Sequence, residues 1–339
     1  MLGCERAGYD ASAPELDHAS LDAVLLTGEV LTDASTIGRP YGMVESGDVL
    51  WVREGAGEPY LHAIDAGSGA ILESVGRDGR GPGEFDGAPF VLSADDLASG
   101  AVWAFDFTQQ RFTLVHPDSA PEESSEIVHL DGTPRVLKAV RLSGNGFLGV
   151  TGDSRARFVR FDSTGARVTQ VPGSLLGESS APQEERRKAT ISFFLLCPHP
   201  TAGFVIAYGT AGRLELYNDS ARLTDMASVP FASDVRFARD ERTGRTRWVD
   251  DRSWYLDCDA TRDHVFMLFA GRAHKDFRRA EAAIGRFVHE FAWEDGSLER
   301  TFQLDPPVSS IAIDPSGTTL YGASMETATI YRFRLPPMP

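Results

Sequence analysis

Asp257, Cys258 and Asp259 stand side by side in the C-terminal half of the chain, and they combine two carboxylates with a thiol. Carboxylate oxygens are the ligands that calcium prefers, but a calcium site in a protein takes roughly six to eight oxygens. The neighbouring segments offer few others, since the chain has only Asn145 and Asn218 as asparagines. Asp257 and Asp259 are therefore weak metal candidates, and we favour carboxylates that cap a turn. We expect no cofactor, with calcium as the alternative.

The three cysteines raise two further questions. Cys197 and Cys258 each follow a short apolar segment at a similar place in the chain's repeating pattern. A disulfide between them requires Cα atoms within about 7 Å, so we expect two buried free thiols, with the disulfide as the alternative. Cys4 follows Met1-Leu2-Gly3 and precedes a polar stretch, which resembles the end of a lipoprotein signal without its apolar segment. Lipidation of Cys4 and a chance placement both remain open.

No signature of catalysis is evident in the sequence. It contains neither H-E-x-x-H nor G-x-S-x-G, and no pair of carboxylates stands out as a general acid and base. We therefore predict no catalytic residue and favour a protein without enzymatic activity.

Composition limits the class of partner. The formal net charge is -16 over 339 residues, which argues against nucleic acid because phosphate binding needs clustered cations. No run approaches the roughly 18 to 20 apolar residues that span a bilayer. No linker rich in Pro, Gly and Ser divides the chain, so we expect one compact domain over residues 21–335 after a disordered segment over 1–20.

Short apolar strands recur along the whole chain, and each is followed by a strand of alternating polarity. Period-two alternation indicates strands with one face packed on a neighbouring sheet, and Asp, Asn and Gly mark tight hairpins between them. The spacing between successive short apolar strands is typical of propeller blades built from four strands. We predict an all-β, six-bladed β-propeller of four-stranded antiparallel blades. The six apolar strands are 48–52, 101–105, 146–150, 203–207, 264–268 and 319–322.

The two ends of the chain are predicted to meet. The last repeat stops at Pro336-Pro337 with three strands, so its outermost strand is missing. The N-terminal segment Ala23 to Leu31 is apolar and strand-like. We predict that it completes the last blade and so removes an open sheet edge.

Two insertions interrupt the repeat. Residues 175–189 are rich in charge and predict a helical turn or a loop, and residues 236–252 predict a long charged hairpin with Thr243-Gly244 at its tip. Loops on rigid scaffolds often carry binding residues. Partner contact and an inert solvated extension are both open for these segments.

The segment G-R-D-G-R-G-P-G-E-F over residues 76–85 is similar to the crossover between blades of NHL-repeat propellers. No Lys-Ser or Lys-Thr follows it, so a tight interblade turn is favoured over a phosphate-binding loop. From about Leu21 to Leu335 the chain resembles bacterial six-bladed, TolB-like propeller proteins. That resemblance implies exported or surface-anchored proteins, mostly without known activity. Related NHL-type lactonases and lyases hold a divalent cation in the central tunnel.

These patterns favour a non-catalytic ligand- or protein-binding propeller, exported or envelope-associated, in the periplasm or as an outer-membrane lipoprotein. Its partner would be a protein, peptide or glycan, and we expect a monomer. The alternatives are a metal-dependent, lactonase-like hydrolase or lyase of the NHL type and a structural part of an envelope complex. Five side chains are expected to line the tunnel, with local ion pairs as their alternative role: Arg39, Tyr41, Arg135, Arg252 and Trp254.

Overall fold

The protein is described by a computed structural model. The described residues are 21–33, 35–93, 99–118, 126–132, 134–142, 146–151, 156–172, 194–208, 212–230, 237–239, 241–244, 246–248, 252–273 and 284–338. Cys4 and the insertion 175–189 lie outside these ranges. No α-helix occurs within them, so no described helix has the length and hydropathy of a membrane span.

Six sheets form the ring, and each is one blade of a β-propeller. Two N-terminal strands, β1 (Val24–Thr27) and β2 (Glu29–Thr32), precede the first blade. Blade 1 contains β3 (Pro40–Ser46), β4 (Val49–Glu54), β5 (Leu61–Asp65) and β6 (Ile71–Val75). A crossover with β7 (Arg77–Asp78) and β8 (Glu84–Phe85) leads to blade 2, made of β9 (Phe90–Ser93), β10 (Val102–Asp106), β11 (Arg111–Val115) and β12 (Ile127–His129).

Blades 3 and 4 repeat the same order of strands. Blade 3 contains β13 (Val136–Leu142), β14 (Gly146–Thr151), β15 (Phe158–Phe161) and β16 (Arg167–Val171). Blade 4 contains β17 (Phe194–His199), β18 (Gly203–Tyr208), β19 (Arg213–Tyr217) and β20 (Leu223–Ser228). The charged insertion that follows forms β21 (Phe237–Arg239) and β22 (Thr246–Trp248), which pair antiparallel. The predicted hairpin with Thr243-Gly244 at its tip is therefore confirmed for its described residues.

The last two blades receive the N-terminal strands. Blade 5 contains β23 (Arg252–Ala260), β24 (His264–Ala273), β25 (Gly285–Ala292) and β26 (Leu298–Val308), and blade 6 contains β27 (Ser310–Ile313), β28 (Thr319–Ser324) and β29 (Thr329–Arg334). Strand β2 pairs antiparallel with β29 as the fourth strand of blade 6, as predicted. Strand β1 instead pairs parallel with β26 as a fifth strand of blade 5.

Gly28 joins these two closing strands. Its N–H donates to the Asp305 carbonyl in blade 5 at 2.8 Å. A Cβ at this position would lie 2.7 Å from the Phe333 ring in blade 6, so only glycine lets the backbone pass so close. The N-terminal segment thus spans the seam between both terminal blades, which the prediction of a single strand did not include.

The hydrophobic core is divided among the six seams between blades, with one cluster of buried side chains at each seam. In β4, Leu50 and Val52 pack against blade 6, whereas Val49 and Trp51 pack against blade 2. A strand in the middle of a blade is thus covered on both faces. This explains why the second strand of each repeat is an almost continuous apolar run.

The glycine-rich crossover is a tight interblade turn, as predicted. The Glu84 carboxylate accepts hydrogen bonds from the Arg80 and Gly81 N–H groups at 2.9 and 2.7 Å. The buried Arg111 guanidinium donates to the carbonyls of Arg80 and Gly81, at 2.9 and 3.2 Å, and to that of Glu84. Two of the N–H groups that a phosphate would need are therefore occupied by a side chain of the same loop.

Candidate functional site

A cavity of about 420 Å³ lies on the propeller axis. The first strands of all six blades contribute to its wall, and most of the lining side chains are apolar. Four charged side chains interrupt this apolar surface: Arg53 from blade 1, Lys138 from blade 3, and Asp257 and Asp259 from blade 5. A mostly apolar cavity with a few convergent polar groups is the usual form of a small-molecule site.

Arg53 reaches the axis from a second strand, β4, which is one strand away from the cavity. Its path depends on Gly42 in the first strand, where the pairing of β3 with β4 is irregular between Pro40 and Met43. Gly42 has a φ of 135°, a backbone conformation that favours glycine. A Cβ at Gly42 would lie 3.1 Å from Arg53 Cδ and 3.3 Å from Nη1. The missing side chain leaves the gap through which the guanidinium enters the cavity.

Two aromatic rings hold the Arg53 guanidinium. Its Cζ lies 4.2 Å from the Tyr41 ring centroid and 4.6 Å from that of Phe90, within the range of cation–π attraction. Nη2 donates to the Tyr41 hydroxyl at 3.0 Å and to the Ala88 carbonyl at 3.3 Å. Nε is buried and has no hydrogen-bond partner among the described residues. Burial lowers the pKa of Arg53 from its ordinary value. Nη1 makes no described hydrogen bond, so it can donate to a ligand.

Lys138 supplies the second cation. It follows an irregularity of pairing between β13 and β14 at Val136 and Lys138. Its ammonium donates to the Phe194 carbonyl at 2.6 Å and lies 4.9 Å from the Phe194 ring centroid. Burial lowers the pKa of Lys138 to about 8, because a charged ammonium loses hydration inside the propeller.

Asp257 and Asp259 form part of the seam between blades 5 and 6. Asp257 Oδ2 accepts the Ile311 N–H at 2.9 Å, and Asp259 Oδ2 accepts the Ile313 N–H at 2.9 Å. These two N–H groups belong to β27, whose pairing with β28 leaves one side of the strand without a neighbour in its own sheet. The carboxylates therefore satisfy backbone donors of the adjacent blade from within β23, whereas the sequence favoured carboxylates that cap a turn.

Both side chains are half-buried in the cavity wall, and the loss of hydration there is the main cause of their altered acidity. It raises the pKa of Asp257 to about 6 and that of Asp259 to about 7. The nearby cations Lys138 and Arg53 lower the pKa of Asp257 in part, whereas Asp257 and Glu45 raise that of Asp259 further. Asp259 therefore titrates close to neutral pH. Within the described ranges, no group of three His, Cys, Asp or Glu side chains is placed to hold a metal ion.

Cys197 and Cys258 form a disulfide, so the expectation of two free thiols was wrong. Their Cα atoms lie 6.0 Å apart, which is within the range that a disulfide spans. The inner strands β17 and β23 approach each other near the axis more closely than we assumed. The bond ties blade 4 to blade 5, and Cys258 lies in the cavity wall.

The structure brings one of the five predicted binding residues into the cavity, Tyr41. The exposed Arg39 is not in its wall, and its backbone N–H donates to Glu54 Oε1 at 2.7 Å. Arg135 is also exposed and donates to the carbonyls of Phe107 and Thr108, both at 3.1 Å. Arg252 lies in β23, as does Trp254, but the side chains of both are outside the described part of the structure.

Sequence reasoning missed Arg53 and Lys138, the two cations that reach the axis. Arg53 follows the apolar run 49–52 and looks like the solvated end of a strand. Gly42 was the available signal, because a glycine inside a first strand often marks a bulge or a close approach. For Lys138 the signal was a single lysine between apolar neighbours in V-L-K-A-V, a position where solvent exposure is not expected.

Because the pKa values of Asp257 and Asp259 are raised in the folded protein, we expect the free energy of unfolding to fall as pH rises through neutrality. The usual pKa of an aspartate is 3.8, and Asp259 in the folded protein has a pKa of about 7. Between these values the folded state binds more protons than the unfolded state, so the free energy of unfolding decreases with pH. We expect a loss on the order of 3 kcal/mol between pH 5 and pH 8 from this group.

Urea unfolding at several pH values, for the wild type and for Asp259→Asn, measures this effect. The asparagine keeps a side-chain oxygen for the Ile313 N–H but does not titrate. The difference between the two proteins removes the contributions of the groups that do not interact with Asp259. Equal pH slopes for the two proteins would show that Asp259 is ionised throughout this range.

Comparisons with known proteins agree with the architecture. A solved structure of streptogramin B lyase is 10% identical, covers 92% of this chain and 98% of its own, and has a TM-score of 0.50. The structure of U3-55K is 10% identical, covers 91% and 98%, and has a TM-score of 0.52. At such identities the likeness shows the fold alone. A search of curated protein sequences finds no match.

The family assignment rests on the sequence rather than on these structures. Residues 20–316, most of the chain, match the family described as TolB-like 6-blade propeller-like. The six sheets and their closure by an N-terminal strand agree with that match. The chain therefore belongs to the TolB-like six-bladed propeller family.

Proposed function

We propose that this protein is a non-catalytic binding propeller that holds a small organic anion in its axial cavity. One observation carries the proposal: Arg53 enters the cavity between Tyr41 and Phe90, and its described hydrogen bonds use Nη2 and leave Nη1 without a described partner. A guanidinium presents its donors in a planar fork that matches a carboxylate. Lys138 adds a second cation to the same wall.

The cavity wall favours ligands with an apolar body. Side chains such as Leu195, Leu196 and Leu256 surround the charged groups, and their surface is buried further by an apolar ligand. The volume of about 420 Å³ lies within the range of small-molecule pockets, roughly 300 to 1,000 Å³. This supports a compact ligand in preference to a long peptide or glycan at this site.

The disulfide supports a location outside the cytoplasm. Disulfides persist in oxidising compartments and are rare where thiols are kept reduced, and Cys197 is bonded to Cys258 in this structure. We therefore extend the proposal to an exported or envelope-associated binding protein. The metal-dependent lyase or hydrolase remains the second candidate, because Asp257 and Asp259 place carboxylate oxygens on the same wall.

Thermal unfolding with matched ligand pairs tests the proposal. We expect carboxylates such as 3-phenylpropionate, 4-methylpentanoate and benzoate to raise Tm at millimolar concentration, and their neutral amides to have no effect. Arg53→Gln should weaken binding at least tenfold, since a charge-assisted hydrogen bond contributes about 1.5–3 kcal/mol.

Arg39→Gln is the matched control, because it removes an arginine of the same blade that lies outside the cavity wall. It should bind like the wild type. The proposal is overturned if none of the three carboxylates raises Tm, or if Arg53→Gln and Arg39→Gln bind equally well. Metal analysis of the purified protein addresses the second candidate: a stoichiometric divalent cation would favour it.

A further inference from the structure

The axial cavity holds charges of both signs that are not paired with one another. Arg53, Lys138 and Asp257 influence each other's ionisation, so they lie close enough to interact. None of the described ion pairs within 4.0 Å joins either cation to Asp257. The fold therefore keeps opposite charges apart across a space in which a ligand fits.

The three charges come from alternate blades. Arg53 belongs to blade 1, Lys138 to blade 3 and Asp257 to blade 5. In a ring of six blades, these positions are evenly spaced around the axis. The two cations and the carboxylate thus approach the cavity from three separate directions. A ligand on the axis that pairs every one of these charges must carry both a negative and a positive group.

Each charge is held in place by the protein but keeps capacity for a further partner. Lys138 has three ammonium protons, and its described hydrogen bond uses one, to the Phe194 carbonyl. Asp257 accepts the Ile311 N–H through Oδ2, and a carboxylate oxygen has two acceptor sites. The fixed geometry means that a ligand finds these groups already oriented, which lowers the entropy lost on binding.

Burial penalises all of these charges in the free protein. It lowers the pKa of Lys138 to about 8 and raises the pKa of Asp257 to about 6. An anion alone would favour the charged forms of Arg53 and Lys138. It would also lie near the Asp257 carboxylate, which repels it. A ligand that adds a positive group beside Asp257 converts this repulsion into attraction, which is how a like charge selects against the wrong ligand.

We propose that the ligand is a zwitterion of the α-amino-acid type, with its carboxylate on Arg53 and Lys138 and its primary ammonium on Asp257. Its apolar side chain lies against the leucine-rich wall, and Asp259 is close enough to Asp257 to interact with the same ammonium. This inference rests on the proposed function and names the ligand class of the same cavity.

A trio of ligands with one carbon skeleton tests the inference. Phenylalanine carries both charges, 3-phenylpropionate lacks the ammonium, and phenethylamine lacks the carboxylate. The same comparison is made for leucine, 4-methylpentanoate and isoamylamine, and for valine, isoleucine, methionine, tyrosine and tryptophan with their deaminated acids. Isothermal titration calorimetry of the full chain should give at least one amino acid that binds tenfold or more tightly than both of its analogues.

Asp257→Asn should remove this preference. The variant keeps an oxygen for the Ile311 N–H but loses the charge that faces the ammonium. We expect its affinity for the amino acid to fall to the level of the deaminated acid, whose own affinity stays the same or rises. A variant that retains the wild-type preference for the amino acid overturns the inference.

A measurement on the wild type keeps the test valid even if Asp257→Asn does not fold. An ammonium beside Asp257 favours the ionised carboxylate, so amino-acid binding at pH 6 should release protons. The deaminated acid places a negative charge there and should take protons up. Titrations in buffers of different ionisation enthalpy give the sign. Proton uptake with both ligands overturns the inference.

The outcomes separate this inference from the proposed function. If the deaminated acids bind and the amino acids bind no better, the inference fails and the binding of an organic anion stands. If neither the acids nor the amino acids bind, both fail. Binding of the amines alone would also overturn both, because it would give Arg53 and Lys138 no part in recognition.

Discussion

Reducing the Cys197–Cys258 disulfide is expected to lower the free energy of unfolding by about 4 kcal/mol. The two cysteines are 61 residues apart in the sequence, and a cross-link over such a loop restricts the unfolded chain strongly. The bond also joins the inner strands of blades 4 and 5, so reduction weakens one seam of the ring. Urea unfolding with and without a reductant measures the change.

The double variant Cys197→Ser/Cys258→Ser is the control for this experiment. It should resemble the reduced protein and should not respond to the reductant. The chain has three cysteines, so a denatured, unprocessed sample should show one titratable thiol before reduction and three after it. Three thiols before reduction, in protein purified without reductant, would show that the bond does not form.

Removing the buried Glu215 carboxylate is expected to destabilise the protein by about 3–5 kcal/mol. Glu215 Oε2 lies 2.9 Å from Arg157 Nη1, and the side chains of Arg157 and Glu215 are 5% and 1% exposed. The hydroxyls of Tyr208 and Tyr217 donate to the same oxygen at 2.9 and 2.8 Å. Glu215→Ala removes a carboxylate that pairs with this buried guanidinium at the seam between blades 3 and 4.

An exposed ion pair of the same protein supplies the comparison. Glu29 lies 3.2 Å from Arg332 Nη2, and its side chain is 62% exposed. Glu29→Ala should change the free energy of unfolding by no more than about 1 kcal/mol, because solvent screens such pairs.

A double variant separates loss of the ion pair from general disruption of the seam. Arg157→Met/Glu215→Leu should be more stable than Glu215→Ala, since apolar side chains of similar volume can replace a buried pair. It should remain less stable than the wild type, because the hydroxyls of Tyr208 and Tyr217 lose their acceptor. If Glu215→Ala and Glu29→Ala lower the free energy of unfolding equally, the buried ion pair contributes no more to stability than the exposed one. Urea unfolding of the wild type and all variants, under the same conditions, measures these free energies.

The architecture could be predicted because each blade repeats one physical pattern. Segments such as Val49–Val52 are apolar on both faces and therefore need a sheet on each side. The hairpin turns with Asp and Gly then set the length of each strand. Closure of the ring followed from a three-stranded last repeat. The path of Ala23 to Leu31 was predicted only in part. A short apolar strand can pair parallel with one blade edge or antiparallel with another, and the sequence does not distinguish the two.

The site was harder to predict, because its position depends on irregularities of the strands. Arg53 reaches the axis through the space above Gly42. Regular alternation of side chains along β4 would instead point Arg53 into a seam between two blades. The disulfide depends on how closely two neighbouring first strands converge, which the spacing of Cys197 and Cys258 does not reveal. Tyr41 was found because it lies in a first strand and points to the axis. Contacts across the ring exist only after the whole circle has formed.

The path of the N-terminal strands has a consequence for synthesis on the ribosome. Residues 24–32 are made before any of the six blades, yet their pairing partners β26 and β29 belong to blades 5 and 6, the last two blades along the chain. Blades 1 to 4 can acquire their hairpins during translation, whereas the ring stays open until the C-terminal strands have left the exit tunnel. During that interval the nascent chain exposes unpaired strand edges, the surfaces on which aggregation begins. Chaperones that shield such edges would therefore be needed until blades 5 and 6 have been made and the ring has closed.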